Sequence, residues 1–178
     1  MTTIVAVKKQ KQCYLAADNL TIFGARKEVS GQHVYDSGKI IQVGPNQIGI
    51  AGHPSWALIL MRYFADKKVK EWKSRAEIFG AFCSLHKTLE EDYFFRSQDR
   101  PFKSSRLELL IVNSVGIFEV EHSRVVRAYS KFSAIGTGEE YALGALHSLY
   151  DILENPEHIA TLAIHAAAKF DRKTHLVT

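Results

Sequence analysis

Thr2-Thr3-Ile4-Val5-Ala6-Val7, a turn at Lys11-Gln12, and Cys13-Tyr14-Leu15-Ala16-Ala17-Asp18 open the chain. β-Branched and small apolar residues on either side of a short polar turn predict an antiparallel hairpin at the very start of the polypeptide. Working outward, Val29 to Tyr35 alternates loosely, Lys39-Ile40-Ile41-Gln42-Val43 reads as a strand, Gly44-Pro45-Asn46 as a turn and Gln47-Ile48-Gly49-Ile50-Ala51 as its return. The period then changes. From Pro54 to about Asp66, Trp56, Leu58, Ile59, Leu60, Tyr63 and Phe64 fall at helical spacing, with Pro54 suited to a first turn. Ser74 and Glu77 make a capping-box pattern ahead of Ile78, Ala81, Phe82, Leu85 and Leu89.

Strands return from Arg106 to Asn113, at Ile117-Phe118-Glu119-Val120, at Val125-Val126 and from Phe132 to Ile135. After Gly136-Thr137-Gly138 a helix is predicted from Glu139 to about Leu153, then another from Asn155-Pro156 to about Lys169, and a last strand from Thr174 to Thr178. Strands, two helices, strands, two helices and a strand argue for an α+β fold and against alternating β-α-β units. Two antiparallel sheets stacked face to face, with a helix pair on each outer face, would bury these apolar residues. No break in composition and no internal repeat divides residues 1–178, which are read as a single domain.

Composition narrows the function. At 46% hydrophobic and 24% charged residues the chain is too apolar for disorder. No stretch approaches the roughly 20 apolar residues of a membrane span. The first apolar run precedes Lys8 and Lys9, the reverse of a secretory signal. A soluble, cytoplasmic protein is expected. Two cysteines, Cys13 and Cys83, exclude a disulfide framework and a four-cysteine zinc site. The net charge of +4 is mild, and the run Lys67, Lys68, Lys70, Lys73 and Arg75 is interrupted by acids, so it reads as solvated connector and not as a nucleic-acid stripe. Eight histidines include no H-E-x-x-H, which argues against a metalloenzyme. No cofactor is expected. Helix-end carbonyls near Asp171 offer a place for a structural cation, though nothing in the sequence demands one.

Thr2 stands directly after Met1 at a strand start. With Met1 removed, one residue would present a hydroxyl nucleophile and an α-amine of unperturbed pKa about 7.7–8.0, able to take the hydroxyl proton. With Met1 attached that nitrogen is an amide and cannot serve. The hairpin returns Asp18 toward Thr2. A lysine beside the amine, Lys39, would lower its pKa, and Asp18 would hold that lysine. Gly52 follows a strand, where its N–H would face a developing oxyanion. Each of these residues taken singly has an ordinary turn, cap or surface role.

Together they resemble proteasome β-type subunits and the bacterial peptidase HslV. The matching stretches are Thr2 to Val7, Leu15 to Asp18, Lys39 to Val43, Ile50-Ala51-Gly52, Ala134 to Leu143 and Asp171-x-x-Thr174, in the same order along the whole chain. The resemblance implies the N-terminal nucleophile hydrolase fold, a four-layer αββα sandwich. It implies Thr2 as nucleophile of a threonine endopeptidase, Asp18 and Lys39 as its tuning pair, and Gly52 as oxyanion donor. Thr137, Asp171 and Thr174 become the polar network around the amine. It further implies a homo-oligomeric stacked double ring enclosing the sites, unfolded protein substrates and a ring-shaped ATPase that feeds them.

The chain departs from the family pattern in places. Thr137 and Thr174 replace the usual serines, His53 replaces a second glycine, and Gly24 to Gly38 is longer than usual, which keeps Lys27 as an alternative to Lys39. Asn19-Leu20-Thr21 lacks the glycine-rich continuation of HslV, so a divergent bacterial proteasome homologue is expected, with seven subunits per ring over six (a 14-mer rather than a 12-mer). Gly31, Tyr35 and Gly52 are the candidates for lining the substrate pocket. Two other readings are a catalytically silent structural or gating ring subunit, and an amidohydrolase of the same fold acting on a small molecule.

Overall fold

β1 (Thr3–Lys9) is buried on both of its faces, and the other layers are arranged around it: Ile4, Val5, Ala6 and Val7 have no exposed surface. The structure is a computed structural model that describes residues 2–23, 26–29, 38–92, 107–172 and 174. β2 (Gln12–Ala17) pairs antiparallel with β1 through a turn at Gln10-Lys11, one residue earlier than the sequence suggests, with Gln10 at a φ of 56°. On the other side β1 pairs with β10 (Phe132–Gly136), giving the order β10-β1-β2. The second sheet has five antiparallel strands in sequence order: β5 (Ile40–Val43), β6 (Asn46–Ala51), β7 (Glu108–Val112), β8 (Ile117–Val120) and β9 (Val126–Tyr129).

The pleat of β1 sorts its residues between two layers. Val5 and Val7 pack with Ala134, Leu146, Ile159 and Ala163 against α3 (Glu139–Tyr150) and α4 (Pro156–Phe170). Ile4 and Ala6 point the other way and meet Leu110, Val112 and Ile117 of the second sheet. The second sheet repeats the division. Leu109 and Ile111 face α1 (Ser55–Phe64) and α2 (Arg75–Asp92), where Trp56, Phe82 and Leu85 fill the outer layer. The four layers αββα expected from the element order are therefore present.

Local chemistry explains where the helices begin. Ser74 Oγ accepts the Glu77 N–H at 3.2 Å, but the Glu77 carboxylate accepts from the Lys73 N–H at 2.9 Å, one residue before the position a capping box would use. Asn155 accepts from the N–H groups of Glu157 and His158 and starts α4. The Lys67–Lys73 segment is a connector, as read from sequence; buried Asn46 anchors it through Lys70 C=O and the Trp72 N–H.

Three readings shift. β3 (Leu20–Phe23) and β4 (Arg26–Val29) form a separate two-stranded hairpin that the sequence pattern hides, because Arg26-Lys27-Glu28 places three charged residues in a row. Val125 precedes β9, which begins at Val126, and α3 ends at Tyr150, followed by one more turn closed by the Leu153 N–H on Leu149 C=O. Residues 30–37, Arg106 and 175–178 lie outside the described residues, and with them most of the Val29–Tyr35 stretch and the last strand.

The two sheets approach closely at Gly49, where an added Cβ would lie 2.5 Å from Ile4 Cγ2. Overpacking of this kind costs roughly 1–3 kcal/mol. Gly49→Ala should lower the urea midpoint accordingly at an unchanged m value; an unaltered midpoint would show that the sheets separate freely here.

Candidate functional site

Thr2 precedes β1 and keeps 5% of its surface exposed. Its C=O accepts the Thr137 N–H at 2.9 Å. That approach depends on Gly136, whose φ is 95° and whose Cβ, were there one, would stand 2.0 Å from the Thr2 carbonyl oxygen. The next peptide N–H, that of Thr3, donates to Asp18 Oδ1 at 2.8 Å. The peptide joining Thr2 to Thr3 is thus held at both ends.

Asp18 follows β2 and is 2% exposed. The same Oδ1 accepts from Lys39 Nζ at 2.7 Å, and the Lys39 side chain is 10% exposed. Asp18 belongs to the end of one sheet and Lys39 to the start of the other, so the ion pair ties the two together. Burial pulls the Lys39 ammonium below its ordinary pKa, and the Asp18 charge and hydrogen bond oppose that pull. Lys39 therefore stands beside Asp18; the side chain of Lys27, the alternative, lies outside what the structure describes.

The Ile50 N–H donates to Lys39 C=O at 2.8 Å, so the β5–β6 register sets Lys39 opposite Ile50, two residues before Gly52. Gly52 is exposed, with a φ of 140° that favours glycine. His53 Nδ1 lies 2.8 Å from Ser55 Oγ and accepts the Ser55 N–H at 3.3 Å, so this ring is engaged at the start of α1.

A second cluster gathers at the end of α4. Asp171 Oδ2 accepts from Thr137 Oγ1 at 2.7 Å and from Thr174 Oγ1 at 2.7 Å. Thr174 is buried, and its Oγ1 also lies 2.6 Å from Thr3 Oγ1. Six of the seven sequence-derived residues are thereby linked: Thr2, Asp18 and Lys39 on one side, Thr137, Asp171 and Thr174 on the other. Gly52 is related to them through the β5–β6 register. Gly31 and Tyr35 lie outside the described residues.

Thr3 is the residue that sequence reasoning missed. It is fully buried on the face of β1 that carries Val5 and Val7, so its hydroxyl needs a partner. Strand alternation, which sets Thr3 on the face of Val5 and Val7, is the one signal that could have found it. Gly138 belongs to the same packing, since a Cβ there would lie 2.3 Å from Thr3 Oγ1 and 2.9 Å from Thr174 Oγ1. Among the described residues no group of three His, Cys, Asp or Glu side chains is placed to hold a metal ion.

A model of the proteasome subunit family matches residues 1–175. The chain belongs to the proteasome family. This proteasome-family chain is 30% identical to ATP-dependent protease subunit HslV of Caldicellulosiruptor saccharolyticus over 171 residues, 94% of its own length and 89% of the relative's. It superposes on Thiobacillus denitrificans BPH with a TM-score of 0.92 at 38% identity, over 99% of this chain and 94% of that one. The complex of the same protein with Epoxomicin gives a TM-score of 0.91 at 38% identity, over the same shares of the two chains. Eukaryotic HslV from Trypanosoma brucei, at 24% identity and a TM-score of 0.65 over 98% of this chain and 94% of that one, shares the fold. The proteasome family is one of N-terminal nucleophile hydrolases whose catalytic members are peptidases.

Asp18 and Lys39 form a buried pair, and removing Asp18 takes from Lys39 the carboxylate it meets at 2.7 Å. Asp18→Ala is expected to cost about 3–5 kcal/mol in urea unfolding. Lys39 also makes stability pH-dependent. Its folded pKa lies below the unfolded value of 10.5, so between the two the unfolded chain binds more protons and stability rises with pH. Wild type should therefore gain on Lys39→Met as pH climbs through that window. A pH-independent difference between the two would mean that Lys39 does not titrate there.

Proposed function

We propose that this proteasome-family chain is a threonine endopeptidase whose nucleophile is Thr2, freed by removal of Met1. The observation that carries this reading is the convergence of both polar clusters on the first peptide of β1, with Asp18 on the Thr3 N–H and Thr137 on the Thr2 carbonyl. Structural strands rarely need such an arrangement at their first residue; a residue that must present its hydroxyl and amine at fixed angles does.

The chemistry proposed needs no group from outside the chain except water. The Thr2 amine, directly or through a water, takes the proton of the Thr2 hydroxyl as Oγ1 bonds to the scissile carbonyl carbon. The Gly52 N–H receives the charge that develops on the carbonyl oxygen. The ammonium then returns its proton to the departing amine as the C–N bond breaks, leaving an ester on Thr2. Water, deprotonated by the same amine, cleaves that ester and releases the carboxylic acid. Lys39, held by Asp18, keeps a positive charge near the amine and favours its base form. Thr137, Asp171 and Thr174 orient the amine.

The Epoxomicin complex of Thiobacillus denitrificans BPH supports an epoxyketone as the probe for this chain. The higher identity to BPH than to the HslV relative supports the divergent bacterial homologue over HslV. By the same reading the chain is a single domain, residues 1–178, that works in the cytoplasm in a stacked double ring with seven subunits per ring, on unfolded proteins supplied by a ring ATPase. The second reading is a catalytically silent ring subunit. It draws on one observation, that Thr2 retains only 5% exposure.

Intact mass before and after epoxyketone treatment separates the two. The peptidase reading expects loss of Met1 and one stoichiometric adduct, absent in Thr2→Ala. A protein that lacks Met1 and still forms no adduct would leave the silent subunit as the answer.

A further inference from the structure

With Asp171 ionised, the contacts of Thr137, Thr174 and Thr3 have one consistent arrangement of protons. An ionised carboxylate accepts and cannot donate. Thr137 and Thr174 must therefore both donate to Asp171 Oδ2, each at 2.7 Å. Thr174 has a single proton, and it is committed. The 2.6 Å contact between Thr3 Oγ1 and Thr174 Oγ1 can then be made only by Thr3 donating. Protons run in one direction, from Thr3 to Thr174 to Asp171.

Thr3 does this from a position that also meets Asp18. Its N–H is on Asp18 Oδ1 at 2.8 Å and its C=O accepts the Asp18 N–H at 3.1 Å. Its side chain, on the α4 face of β1, reaches the other carboxylate through Thr174. One fully buried residue, the neighbour of Thr2, thus joins Asp18 and Lys39 to Thr174, Asp171 and Thr137. Gly138 leaves the room for it, as any Cβ there would collide with Thr3 Oγ1.

We propose that Thr3 is a positioning residue for the Thr2 nucleophile, its hydroxyl directing the Thr174 proton onto Asp171 and its N–H fixing Asp18. This rests on the peptidase reading for its catalytic consequence, but the proton arrangement stands apart from it. With both Thr137 and Thr174 donating to Asp171, their remaining lone pairs can only accept. They can hold N–H bonds of the Thr2 amine and leave that nitrogen's own lone pair for the hydroxyl. Donation from Thr3 also polarises Thr174 and so draws charge off Asp171. Without it Asp171 holds more charge, and the amine beside it would keep its proton to higher pH. Among the described residues, Asp18 after β2 and Lys39 before β5 are the charged pair bonded at the Thr3 N–H, and Glu139 follows Gly138 at the start of α3. None of them is altered by a change confined to the Thr3 hydroxyl.

The test is Thr3→Val, which keeps the branched shape and loses the hydroxyl, beside Thr3→Ser, which keeps the hydroxyl. In the full chain lacking Met1, the Thr2 amine is titrated by 15N NMR and peptide hydrolysis is followed against pH. Thr3→Val should move the amine titration and the acid limb of kcat to higher pH and lower kcat about three- to tenfold, with KM little changed. Thr3→Ser should restore both. An amine that titrates in Thr3→Val where it does in wild type, or a Thr3→Ser as defective as Thr3→Val, overturns the proposal. If Thr3→Val does not fold, Thr174→Val breaks the same contact from the other side, and an unmoved titration there overturns it equally. The two readings fail separately. Wild type without hydrolysis but with a Thr3-dependent amine titration refutes the peptidase and keeps the positioning role; hydrolysis with no such dependence does the reverse.

Discussion

A strand buried on both faces has no free side, and β1 imposes that constraint on the whole molecule. Its residues alternate between two apolar layers, so it must have helices on one side and a second sheet on the other. Burying four consecutive side chains at each step of the pleat also fixes register, because a slip of one residue would exchange the two faces. Thr2 and Thr3 inherit this precision. Thr3 continues the alternation at the start of the strand, which directs its hydroxyl to the α4 side, and Thr2 is held through the peptide that joins the two.

The site uses that rigidity and gives up local stability for it. α4 ends in Asp171, a carboxylate at the helix terminus where the dipole disfavours negative charge. Two hydroxyl donors offset this. α3 begins at Gly138 with no side-chain cap, although a serine or aspartate there would serve the helix better. Thr3 Oγ1 and Thr174 Oγ1 stand where such a side chain would go. Lys39 loses solvation and recovers part of it from Asp18. Each local rule broken in this region is broken by a contact that converges on the first peptide of β1, the pattern expected where function competes with stability.

Much of this was legible in the chain. Ile4 to Val7 and Leu15 to Ala17 announce a hairpin by composition, Ile78, Phe82, Leu85 and Leu89 a helix by period, and Gly44-Pro45 a turn by backbone chemistry. The β3–β4 hairpin was not legible, since β4 opens with Arg26-Lys27-Glu28 and offers no apolar run to match Leu20 to Phe23. Thr3 was hidden for another reason. Threonine at a strand start is ordinary, and its partner lies 171 residues away.

By itself the sequence determined the order of strands and helices, the two-layered pairing of their apolar faces, and a set of hydroxyls, carboxylates and one lysine matching the proteasome family. These follow from short-range preferences and side-chain period, which are properties of neighbouring residues. Only the tertiary structure decided that Lys39 meets Asp18, that Gly136 and Gly138 are glycines because Thr2 and Thr3 occupy the space a Cβ would need, and that Thr3 joins the two carboxylates. Those facts depend on distances between elements far apart in the chain, which arise only when the sheets and helices close around β1.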